Sequence, residues 1–350
     1  MAWRPVELPR GALPVTLTAY RDGVLVGTQE RTTAAPGLLR LDGASTVAVP
    51  VHPVTPYAKQ ATWLSIATDE AGRLVAVAGA RGGAHSNVRW SVWRGDSTTG
   101  LSEQEQPFST FGGWGAGEQL GVLMPSTGPL LLGSWESRGA GLDADIWVPD
   151  GSAWVRQDPT GSVLASTATE LAGPRSGTAL GEGAVVVGSL VTLGDGVRQQ
   201  PAVWQSTRGN SGWRRATLPM TGRTGEAVAV GCHDRAAGCV VVGVVDGRLA
   251  VWDLPSADSR APTVRDGIPA VTIADRATIP APVWRGNGWT ILLPTGAASL
   301  VLRSGASGWE TRAGPPGVVT SAAQTASGTM YAVTTDTAGV SSLWATDDLR

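Results

Sequence analysis

Lysine is nearly absent from this 350-residue chain, with Lys59 alone among 27 basic residues, and there are only three histidines, three tyrosines, two phenylalanines and two cysteines. Each scarcity removes a class of function. His52, His85 and His233 lie in widely separated segments and would all have to converge to form a three-histidine centre, so no metal site is expected. Charged residues make up 16% of the chain and the net charge is −2, which offers no electrostatic footprint for phosphate backbones or anionic lipid. No nucleic-acid partner is expected. No apolar run approaches the roughly 18 residues of a bilayer span, so no direct membrane insertion by this chain is expected. No glycine-rich phosphate loop, nucleophile elbow or zinc spacing occurs, and no cofactor is implied. Met1-Ala2-Trp3 opens without the basic and apolar succession of a signal peptide. Two localisations stay open: the cytoplasm, or the cell envelope or exterior with a leader or anchor removed. The scarcity of lysine, the Thr/Ser-rich loops and the two neighbouring cysteines favour the second.

What is abundant is glycine, with 47 residues, and tryptophan, with 15 of the 20 aromatics. Both follow a repeat. Seven short apolar runs recur, VLVGTQ at 24, LVAVAG at 74, LLLGSW at 130, VVVGSL at 185, VVVGVV at 240, TILLPT at 290 and MYAVTT at 330. Each follows a glycine (Gly23, Gly72, Gly128, Gly183, Gly238, Gly288, Gly328), where a tight hairpin is expected to need positive φ. Another apolar or alternating segment precedes each glycine. A third segment carries a recurring tryptophan (Trp93, Trp147, Trp204, Trp252, Trp344), and a fourth often reads Trp-to-Pro (Trp154, Trp213, Trp309). Four strands per unit of about 50 residues is the pattern of a β-propeller blade.

The C-terminal unit stops after its third strand, SSLWATDDLR, whereas the N-terminus opens with AWRPVELP, which matches a fourth strand with none before it. Joined, they complete one blade and remove two free sheet edges. The expectation is an all-β, seven-bladed β-propeller in one domain. Its blades run at approximately 15–53, 63–108, 118–159, 173–219, 225–267, 281–315 and 318–350 plus 2–9. Six or eight blades would require a misassigned hairpin, most readily between Pro255 and Ile279.

The repeat resembles the sialidase-like, Asp-box class of propellers, whose turn reads Ser-x-Asp-x-Gly-x-Thr-Trp. Ser206 to Trp213, STRGNSGW, keeps the Ser and Trp, with Arg208 at the Asp place and Asn210 at the Gly place; ASGW before Glu310 and GSAW before Val155 are shortened forms. The resemblance spans the chain and is degenerate in every copy. It implies a bacterial, actinobacterial-type protein, exported or lipid-anchored, and supports the fold rather than the glycosidase activity. Tyr20, Tyr57 and Tyr331 are the only candidates for the Tyr nucleophile of that family, and two of them sit in predicted core strands.

Repeated tryptophans are expected to pack blade on blade. The connections from second to third strand, and from each blade to the next, share one face and are the longer ones, including GARGGAHSN, WESRGAGLDAD and TLGDGVRQQ. The richest is residues 108–117, holding Phe108, Phe111 and Trp114. With Arg81, His85, Trp135, Glu136, Arg138, Asp143 and Asp145 near it, this cluster has the composition of a binding hot spot. Alternatively the three aromatics fold inward and plug the ring. Cys232 and Cys239 bracket the turn HDRAAG and either form a disulfide or remain buried thiols; export favours the disulfide. The function expected is a non-catalytic module, monomeric outside a complex, that presents this face to a protein or a cell-surface glycan. The alternative is a glycan hydrolase or lyase with an axial site using His85 and nearby carboxylates, as in propellers similar to the streptogramin lyase family.

Overall fold

The computed structural model describes residues 2–43, 45–82, 87–112, 115–233, 238–255, 261–285, 288–305 and 308–347. Seven antiparallel sheets of four strands stand in a ring, a seven-bladed β-propeller. Blades 1 to 7 start at the inner strands Ala12–Tyr20, Thr62–Thr68, Gly117–Leu123, Glu170–Leu180, Gly225–Cys232, Val283–Arg285 and Val318–Gln324, and each runs outward in chain order. A short strand, Val51–His52, adds in parallel to the outer edge of blade 2. Second strands such as Gly183–Gly194 and Cys239–Val245 are valine runs because both of their faces are covered by neighbouring blades.

Blade 7 takes its outer strand from the other end of the chain. Arg4–Pro5 pairs antiparallel with Ser341–Thr346, Arg4 opposite Ala345 and Pro5 opposite Trp344, and the Val6 N–H donates to the Leu343 carbonyl at 2.9 Å. Trp3 packs against a cluster that includes Leu292, Val301 and Met330, which carries the closure into blade 6.

The hairpin glycines divide into two kinds, where the sequence suggested one. Gly72, Gly128, Gly238 and Gly328 have positive φ, as expected. Gly23, Gly183 and Gly288 instead open the second strand. There a Cβ would come within 2.2 Å of the Leu41 carbonyl, 2.1 Å of that of Ser206 and 2.2 Å of that of Ser304. In blades 1 and 4 the left-handed residue is Arg21 (φ 50°) and Gly181 (φ 60°). Close approach of the third strand, rather than turn conformation, fixes glycine at these places.

The third-strand tryptophans are rivets. Trp93, Trp147, Trp204 and Trp252 are fully buried. The Nε1–H of Trp147 donates to the Thr110 carbonyl (3.1 Å), that of Trp204 to Val163 (2.9 Å) and that of Trp252 to Pro219 (2.7 Å). In each case the acceptor lies in the connection entering the same blade, so one indole fixes both a blade and the segment that leads into it. The degenerate Asp-box turn is held without an acid: Trp213 Nε1–H donates to Asn210 Oδ1 (2.9 Å) and Ser206 Oγ accepts the Ala184 N–H (2.8 Å).

Among the described residues six inner strands carry a one-residue bulge at the same level, with the extra residue at Val15, Leu64, Leu120, Arg175, Val228 and Thr320. A bulge frees backbone groups from the ladder. A serine just past the bulge reaches a backbone group of the next blade's inner strand. Ser321 Oγ accepts the Leu17 N–H (3.0 Å), Ser65 Oγ accepts the Val122 N–H (3.2 Å), and Ser176 Oγ donates to the Val228 carbonyl (2.8 Å). These hydroxyls form a collar around the axis.

Candidate functional site

On the face with the long connections, the chain between blades 2 and 3 forms a five-residue helix, Phe108–Gly112. Phe108 is 67% exposed, with the Arg89 guanidinium 5.2 Å above its ring. Phe111 turns the other way and packs on Trp147 with ring centroids 5.8 Å apart, in the third strand of blade 3 and away from the axis. Phe108, Tyr57, Trp90 and Arg89 line a cleft of about 320 Å3. Its polar side chains are largely engaged within the fold: Glu103 accepts from the backbone of Val54 and Thr55 and from the Thr55 hydroxyl, and Gln104 Oε1 accepts from Trp154 Nε1–H. What the cleft offers a ligand is aromatic surface and one arginine.

Of the other residues expected here, Arg81, Glu136 and Arg138 are exposed. Glu136 accepts the Ala116 N–H (3.2 Å), which ties the loop that follows the helix to blade 3. Trp135, Asp143 and Asp145 do not reach the surface, being 3%, 3% and 0% exposed. The strands of blade 3 run through Glu136 and resume at Leu142, so the expected long loop is only five residues and its flanks alternate into the core. Trp135 packs edge-on against Trp147 at 5.2 Å, and Asp143 Oδ1 accepts the Ser166 N–H (2.6 Å). Asp145 takes a two-pronged contact from Arg156, at 2.9 and 2.8 Å. Burial raises the Asp145 carboxyl to about 6, the hydrogen bonds and charge of Arg156 pull it back, and Asp143 and Asp158 add to the rise. His85 and Trp114 lie outside the described residues.

The long connection TLGDGVRQQ is a protruding hairpin of Gly183–Gly194 and Gly196–Gln205 rather than a loop, and Val197 at its tip is 77% exposed. Sequence reading missed this apolar tip, although Leu193 and Val197 flanking the turn signal GDG would have pointed to it.

At the opposite end the axis opens as a funnel of about 830 Å3 lined by all seven inner strands. Cys232 and Cys239 form a disulfide at its rim. His233 beside it stacks on Trp284, centroids 5.3 Å apart. Among the described residues no three His, Cys, Asp or Glu side chains gather as metal ligands do, and no helix is long and apolar enough to cross a membrane.

No protein-family model matches the chain, and no curated protein sequence matches it significantly. Its structure is similar to the WD40 repeats of RRP9, with a TM-score of 0.58 and 13% identity over 98% of this chain and 96% of that one. It is similar also to U3-55K, at 0.57 and 12% over 98% and 97%. An α-L-arabinofuranosidase from Fusarium graminearum follows at 0.51 and 13% over 84% and 95%. The likeness at these identities is one of fold, and a fold shared by a WD40 protein and a glycosidase does not choose between their roles.

Proposed function

We propose that this propeller is a non-catalytic binding module that presents its long-connection face to a partner outside the cytoplasm, a protein or a cell-surface glycan. One observation carries the reading. Of the eleven exposed large hydrophobic residues among the described ones, seven lie in or directly beside the connections of that face, Val54, Tyr57, Phe108, Leu142, Leu193, Val197 and Val340, and the other four, Val47, Leu64, Val155 and Val264, lie along inner or outer strands. Their spread from blade 1 round to blade 4, and again at blade 7, suits a protein surface better than a single sugar chain. Phe108 is the anchor, since an exposed aromatic beside an arginine is the composition of a hot spot. The disulfide and the degenerate sialidase-like repeat support a place in the envelope or exterior of a bacterium. Replacing Phe108 by Ala or Val197 by Asp is expected to leave the melting temperature unchanged and to weaken capture of the partner from an envelope-protein fraction, or of purified surface glycans, by tenfold or more, equivalent to about 1.4 kcal/mol. Capture unaltered by both substitutions would refute the assignment of this face.

A further inference from the structure

Adjoining the axial funnel, with which it shares Thr68, Met124 and Ala179, a cleft of about 710 Å3 opens between blades 2 and 3 on the face away from Phe108. Arg94 lines it from the third strand of blade 2, Val88–Asp96, with its guanidinium 5.1 Å from the centroid of the Trp154 ring. That platform is rigid: Trp154 is buried, its Nε1–H donates to Gln104 Oε1 (3.1 Å), and its backbone N–H donates to Gln106 Oε1 (2.8 Å). Among the described residues no carboxylate or carbonyl oxygen is hydrogen-bonded or ion-paired to Arg94. The second arginine of the cleft differs. Arg73 is held by Asp69, with Nε at 2.6 Å from Oδ2 and the backbone N–H at 2.9 Å from Oδ1. Burial and then the Arg73 charge pull the Arg94 pKa down, so this position favours the arrival of a negative charge. Met124 and Pro129 supply an apolar wall facing these cations.

We propose that this cleft binds a small organic monocarboxylate, its carboxylate taken by the Arg94 guanidinium and its apolar body lying against Met124 and Pro129. A stacked guanidinium presents a fixed planar fork, which matches a carboxylate. The Arg73–Asp69 pair is neutral as a unit, so Arg94 supplies one uncompensated charge, and a dianion would also meet Asp69 and the neighbouring Glu70. The site is independent of the face assigned above, which lies at the other end of the ring.

Titration calorimetry with 1-naphthoate, its neutral counterpart 1-naphthalenemethanol and 1-naphthyl phosphate tests this. The wild-type protein should bind naphthoate about tenfold or more tighter than the alcohol. Arg94→Gln should abolish that preference while keeping the wild-type melting curve. Arg94→Lys, which retains charge without the fork and gives the readout if the glutamine variant folds poorly, should recover only part of it. Arg248→Gln, at an exposed residue of blade 5 that lines neither cleft, should change nothing. The proposal is overturned if naphthoate fails to bind at millimolar concentration, if the alcohol binds as well, if the phosphate binds tighter, or if Arg94→Lys binds naphthoate as the wild type does.

Discussion

Removing the Ser321 hydroxyl tests how the inner collar holds blade 7 to blade 1. Ser321→Ala takes away the side-chain acceptor of the Leu17 N–H among the described residues, at a residue 8% exposed. Leu17 pairs with Val26 beyond the bulge at Val15, and Ser321 reaches its N–H from the neighbouring blade. An orphaned, largely buried N–H costs about 1–3 kcal/mol. For a chain of this length the unfolding entropy makes that a fall in melting temperature of about 1.5–4 °C. Ser65→Ala should cost about the same, since it orphans the Val122 N–H in the same way. Ser176→Ala should cost less, under about 1 kcal/mol, because it deprives only a carbonyl, which tolerates partial satisfaction better than an N–H does. Differential scanning calorimetry of the three variants gives the comparison directly. The reasoning fails if Ser321→Ala melts within about half a degree of wild type, or if Ser176→Ala is the most destabilised of the three.

Deleting residues 2–6 should cost about 3 kcal/mol or more through loss of Trp3 packing, and should produce concentration-dependent aggregation in light scattering as the Ser341–Thr346 edge is bared. Glu30 accepts from four donor groups, the N–H and hydroxyl of Thr32 and of Thr33, which hold its carboxyl down at about 2; its contribution is present above its ordinary 4.5 and is lost as pH falls towards 2, so the stability gap between wild type and Glu30→Gln should close over that window in acid denaturation. Asp145 has the opposite sign: with its carboxyl raised to about 6, the folded state holds the proton more tightly than the unfolded chain, so wild-type stability measured against Asp145→Asn should decline as pH climbs from about 4 to about 6.

The ring was legible because its signals are periodic. Trp147, Trp204 and Trp252 recur at one repeat position, and repetition is what a packing role leaves in a sequence. The surface was harder to read because exposure depends on where strands stop. Trp135, Asp143 and Asp145 look like loop residues in WESRGAGLDAD, yet blade 3 extends its strands through that stretch and turns all three inward. A buried carboxylate is invisible in sequence unless its partner is known, and Arg156 lies one strand further on. The glycines hid a second purpose for a similar reason: Gly72 and Gly183 occupy the same repeat position, but only the contact with the Ser206 carbonyl tells close approach from a left-handed turn. The collar serines escaped notice because they act across blades, over 57 residues for Ser65, 52 for Ser176 and 304 for Ser321, spacings at which isolated hydroxyls carry no pattern.

The seventh blade is fastened at two radii. Near the axis it is pinned by Ser321 to Leu17, and at the rim by Arg4, Pro5 and Val6 along its outer edge. A plate held at one point can pivot about it, whereas a plate held at two cannot swing without breaking one of them. The join between the chain ends therefore resists torsion as well as separation. A circular permutant that moves the ends to the boundary between blades 5 and 6, where each blade is built from one continuous stretch, the inner strand of blade 6 is three residues long and no serine link is seen among the described residues, would have neither fastening at its join. Such a ring should close and still rock, with faster amide exchange along the two strands that face the new join.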